Sequence, residues 1–96
     1  MIKVRPGIVL TKICGEYILV AAYEARQFCP YTKILNDTGA LIWECLTDNQ
    51  SIPEIAEELK QSFDIPADIN IEKTISDYLE ILHANGYLLY EEDTEL

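Results

Sequence analysis

Ninety-six residues suit a single domain with one modest core, since a chain of this size buries roughly 60–65% of its unfolded surface. Hydrophobic residues at 49% and charged residues at 25% fit an ordinary globular chain, and no apolar run approaches the roughly 18 residues of a membrane span. The net charge of −10, from 17 acidic and 7 basic residues, repels phosphate backbones and speaks against a nucleic-acid partner. Met1 to Pro6 lacks the apolar stretch of a signal peptide, so a soluble cytoplasmic protein is expected.

The first third is rich in β-formers. Ile8 to Ile13 predicts a strand, Cys14-Gly15-Glu16 a tight turn, and Tyr17 to Ala22 a second strand apolar enough to be central. Tyr23 to Pro30 is irregular, and Tyr31 to Leu35 predicts a third, shorter strand. Short connections pair successive strands as antiparallel neighbours, which leaves the third strand at an edge.

The remainder has helical period. Asn36 or Asp37 can cap a first helix, whose Gly39, Ile42, Trp43 and Leu46 form one stripe. Trp43 is expected as a core anchor. Ser51-Ile52-Pro53-Glu54 fits a capping box for a second helix, with Ile52, Ile55, Ala56, Leu59 and Phe63 buried. Asp68 or Asn70 can cap a third, the longest. Its Ile75, Leu79 and Leu82 face the core, and Ile71, Thr74, Tyr78 and Ile81 form an adjacent stripe. Gly86 is suited to end that helix in the left-handed conformation. Tyr87 to Tyr90 reads either as a wing-like strand or as a core cover, and Glu91 to Glu95 as a solvated acidic tail.

The expected fold is α+β and winged helix-turn-helix-like, a three-stranded antiparallel sheet followed by three helices. Residues 1–90 form the domain and 91–96 the tail. Cys14, Cys29 and Cys45 are odd in number and lack a C-x-x-C pair, so they are expected as buried or partly buried thiols. His83 is the only histidine, and no phosphate loop, dinucleotide fingerprint or metal-ligand cluster occurs. No catalysis, cofactor or metal is therefore expected. The third helix carries Glu72, Asp77 and Glu80 against Lys73, a poor balance for a DNA groove.

Leu35-Asn36-Asp37-Thr38-Gly39-Ala40-Leu41-Ile42-Trp43 resembles the L-N-x-T-G-A-x-x-W signature of the PqqD-like family, also called RiPP recognition elements. Ser51 to Leu59, Phe63-Asp64-Ile65, and Leu79, Leu82 and Gly86-Tyr87-Leu88 are similar, in order, to its later segments. The resemblance spans about residues 5–90. The stretch Tyr23 to Pro30 departs from it, being longer than the family's tight hairpin. The resemblance implies a chaperone without catalysis that binds the leader of a ribosomally made precursor peptide. The leader would add as a strand to the third strand's edge and pack on the third helix. A tailoring enzyme, of the radical S-adenosylmethionine kind, would then receive it.

The implied peptide-binding residues are Tyr31, Thr32, Lys33, Ile34 and Leu35 on the edge, with Ile71, Lys73, Thr74, Tyr78 and Ile81 on the helix. Unpaired edge groups supply backbone bonds, and neighbouring side chains supply selectivity. Lys33 and Lys73 offer partners for acidic leader residues. The alternative is a structural interaction subunit, or a homodimerising module that binds no leader.

Overall fold

The computed structural model describes residues 2–27 and 32–90. The chain enters through a short strand, β1 (Ile2–Val4), and turns into β2 (Ile8–Ile13). The turn is closed by the Ile8 N–H donating to the Arg5 carbonyl at 3.2 Å. Pro6 holds its second position and Gly7, at φ 91°, its third, the pattern of a type II turn. A β-carbon on Gly7 would also stand 2.9 Å from the Ala22 carbonyl oxygen, so both conformation and space demand glycine.

β2 folds back on β3 (Glu16–Ala21) with Ile13 opposite Glu16. The two connecting residues, Cys14 at φ 52° and Gly15 at φ 82°, are both left-handed, as a type I′ hairpin requires. A short 3-10 helix (Tyr23–Gln27) follows and sends Ala25 into the core. Cys29, Pro30 and Tyr31 lie outside the described residues. The expected third strand is β4 (Lys33–Leu35), with Thr32 preceding it. β4 pairs antiparallel with β3, placing Leu35 opposite Tyr17, Ile34 opposite Ile18 and Lys33 opposite Leu19. The sheet order is β2-β3-β4, so the most apolar strand is central, as its composition predicts.

Three helices follow, each started by a side chain the sequence supplies for that purpose. Asn36 Oδ1 accepts from the Gly39 N–H at 2.7 Å to open α1 (Asp37–Thr47). Ser51 and Glu54 exchange both bonds of a capping box at α2 (Ile52–Ser62). Asn70 Oδ1 accepts from the Lys73 N–H at 3.2 Å at α3 (Ile71–Ala84). α3 ends in a Schellman motif. Gly86, at φ 89°, donates to the His83 carbonyl, and Tyr87 donates to that of Leu82, both at 3.0 Å.

The core lies between the helices and the inner face of the sheet. Trp43, Leu19, Ile55, Leu59, Ile75, Leu79, Leu82 and Leu88 are its largest enclosed side chains. The inward stripes of all three helices match their predicted positions, although Ile52 and Phe63 are only half-buried. Leu88 to Tyr90 form a strand, β5, which pairs with β1 rather than with the three-stranded sheet. β1 carries no signal legible in the sequence, because three residues are too short to show a period. Cys45 is buried as expected, but Cys14 is exposed. Its place at the apex of the hairpin holds it away from any core.

Candidate functional site

Two features meet where β4 runs into α1. The first is a sheet edge. Among the described residues, no strand pairs with the side of β4 remote from β3. The hydrogen-bond parity of that edge follows from the hairpin. A two-residue turn is closed by a hydrogen-bonded pair, here Ile13 and Glu16. Bonded and non-bonded pairs then alternate, so Glu16, Ile18 and Val20 bond to β2, and Tyr17, Leu19 and Ala21 turn toward β4. Leu35 and Lys33 lie opposite Tyr17 and Leu19 and spend their groups inward. Ile34 alone within β4 turns its N–H and C=O to the open side, and the next outward-facing residue in that direction is Thr32.

The second feature is an apolar groove of about 210 Å³ between α1, α2 and α3. Asn36, Thr38 and Gly39 form its wall on the β4 side, Ile42 and Leu59 its floor, and Ile71, Thr74, Ile75 and Tyr78 its far wall. Small-molecule clefts usually enclose about 300–1,000 Å³, so this groove suits one or two side chains of a larger ligand. Gly39 is central to its shape. A β-carbon there would lie 2.5 Å from the Tyr78 hydroxyl oxygen and 3.2 Å from Cζ. The absent side chain therefore lets the Tyr78 ring lie against the first turn of α1. Burial raises the Tyr78 phenol above its ordinary value of 10.0, so it remains a neutral donor at physiological pH. The Thr74 hydroxyl donates to the Asn70 carbonyl at 3.2 Å.

Of the residues expected to bind peptide, Ile71, Thr74 and Tyr78 line the groove, and Lys33, Ile34 and Leu35 make the edge. Thr32 is exposed just before the edge, and Tyr31 lies outside the described residues. Ile81, 51% exposed, sits one turn beyond Tyr78 without lining the groove. Lys73 points away. Its ammonium meets Asp77 at 2.9 Å, and that hydrogen bond, followed by the charge, raises its pKa. Asn36, Thr38, Gly39, Ile42, Leu59 and Ile75 were not anticipated as lining residues. Their periodicity gives only caps and core, and the second use shows only once α1 and α3 are packed. Ile71 also borders a larger hollow, about 380 Å³, over the α2–α3 connection. That hollow is flanked by Lys60 and Glu72, and no residue of β4 or α1 lines it.

Among the described residues, no His, Cys, Asp and Glu gather in a group able to hold a metal ion. None of the described helices is long and apolar enough to cross a membrane.

No curated protein matches the sequence. Two solved structures match the fold along nearly its whole length. One is described as a lasso peptide synthetase B1 complexed with the leader peptide. It is 25% identical, has a TM-score of 0.74, and covers 93% of this chain and 98% of its own. The other, TbiB1 in complex with the TbiA(beta) leader peptide, is 20% identical with a TM-score of 0.73. It covers 95% of this chain and 99% of its own. The family described as coenzyme PQQ synthesis protein D matches residues 32–88, from the edge strand through all three helices into β5. With its family pattern laid over both the open edge and the groove, the chain belongs to the PqqD family.

Proposed function

We propose that this chain is a non-catalytic, cytoplasmic module that holds the leader of a ribosomally made precursor peptide and presents it to a tailoring enzyme. The observation that carries this reading is the open β4 edge leading directly, through Asn36, into an apolar groove walled by Ile71, Thr74 and Tyr78. An extended peptide added to that edge bonds to the backbone of Ile34 and Thr32 and lowers alternate side chains into the groove. Lys33, on a long flexible stem, offers its charge to an acidic leader residue outside the positions that the groove takes. Ile81 and Lys73 lie at the rim of the same helix and would meet only a leader that extends past the groove. A relative of the same fold whose description includes a bound leader supports the reading.

The family resemblance points to a radical S-adenosylmethionine enzyme as the recipient. The lasso peptide synthetase relative favours a lasso-forming partner instead. Co-expression of the chain with each kind of enzyme and a precursor, scored by modified product, separates the two.

The primary test is an amide chemical-shift titration with the leader of a precursor encoded beside this gene. Saturable shifts on Thr32–Leu35 and on Ile71, Thr74 and Tyr78 are expected. A stable dimer that protects the amides of residues 32–35 without peptide would instead favour a structural, homodimerising role.

A further inference from the structure

The leader-binding reading places a ligand on one face of the sheet, the one toward the helices. Strand addition has a consequence on the opposite face. Side chains alternate along a strand, and Ile34 points outward, away from the core, with 62% of its surface exposed. The register sets Thr11 opposite Ile18 and Ile18 opposite Ile34, so these three form one cross-strand row on the outer face. Neither Ile18 nor Val20 on that face is fully covered, and Ile34 ends the row at the open edge. Ile34 is also the residue of β4 whose backbone groups face outward. The leader residue that pairs with it must therefore project onto the outer face, and its two neighbours must project toward the groove.

We propose that the module reads its leader on both faces of the sheet, with Ile34 and Ile18 forming an outer subsite for an apolar, β-branched or aromatic leader residue. This rests on the leader-binding reading and goes beyond it. The groove selects the residues on either side, and the outer subsite selects the one between them. Charge supports an apolar occupant. Every side chain in the Thr11-Ile18-Ile34 row is uncharged, in a chain that carries −10 overall. A β-branched or aromatic residue directly across from Ile34 also adds to the stability of a sheet. The recognised pattern is then three consecutive apolar positions. The middle one depends on Ile34 and the outer two depend on Tyr78 and Ile71.

The test is selection of a displayed random decapeptide library on the immobilised full chain, repeated with Ile34→Lys and Ile34→Thr. Ile34 is exposed, so both variants are expected to keep the parent melting profile. With the parent chain, enriched peptides should share three consecutive apolar positions. With Ile34→Lys, the middle position should turn acidic while the flanking two stay apolar. A peptide enriched on the parent should bind Ile34→Thr roughly two- to fivefold more weakly, the range of one cross-strand pair. Flanking preferences without a middle one, or a middle preference indifferent to Ile34, overturn the outer subsite and leave the groove standing. No enriched peptide at all overturns the leader-binding reading as well.

Discussion

A methyl group at Gly39 would collide with the Tyr78 hydroxyl, so one glycine sets the position of one ring and the width of the groove. Gly39→Ala gains about 1 kcal/mol of helix propensity. It also forces Tyr78 from its place, an overpacking cost of about 1–3 kcal/mol. Urea unfolding should show a net loss, and adding Tyr78→Phe, which removes the clashing oxygen, should recover most of it. Cys45 carries a second residue-scale expectation. Burial, then the charges of Glu58, Asp48 and Glu44, raise its thiol above the ordinary 9.0, and burial raises Tyr78 above 10.0. Both groups hold their protons more tightly when folded, so their stabilisation is complete below pH 9 and is lost as pH climbs through the folded values. The melting temperature should stay level from pH 7 to 8.5 and fall beyond 9. In Cys45→Ala the fall should begin only near 10. Little of this was legible in the sequence. Asn36 and Gly39 are readable as cap and stripe, because those roles depend on near neighbours. Their contact with Tyr78 depends on how α1 and α3 pack.

Among the elements, the helices were the most legible. Ser51, Asn70 and Gly86 each act within four residues, so their starts and stops are written locally. β2 was equally legible, at Ile8–Ile13, because four β-branched residues among its six precede a glycine turn. β1 was hidden, since its partner β5 lies at the other end of the chain. What joins these distant ends is Arg5. Its Nε donates to the Gly86 carbonyl at 2.6 Å, and its N–H donates to the Tyr87 carbonyl at 2.9 Å. The guanidinium thus locks the β1–β2 turn onto the end of α3. Arg5→Ala removes a charge-assisted bond worth about 1.5–3 kcal/mol. Thermal melts should show that loss, and hydrogen exchange should show faster amides at Leu88 to Tyr90. The groove, at the opposite end of α3, should keep its peptide affinity.

For the molecule as a whole, the governing quantity is the net charge of −10. Compact folding brings these like charges together, and salt screens them. The Debye length falls from about 30 Å at 0.01 M to about 8 Å at 0.15 M. Added sodium chloride over that range should therefore raise the melting temperature. A basic leader should bind more weakly with added salt, and a neutral one should be indifferent to it. The fold class was legible at this scale from element order and the family pattern. The two-sheet arrangement was not, because β1 and β5 are each only three residues long. That second sheet makes Ile2 the direct cross-strand partner of Tyr90. Antiparallel partners lie about 4.5–5.5 Å apart at Cα, so the described chain enters and leaves the domain at almost one point. A host protein could carry the whole domain inside a surface loop without stretching its own backbone. A cut elsewhere, with the two ends joined by a few residues, should yield a circular permutant with the same groove.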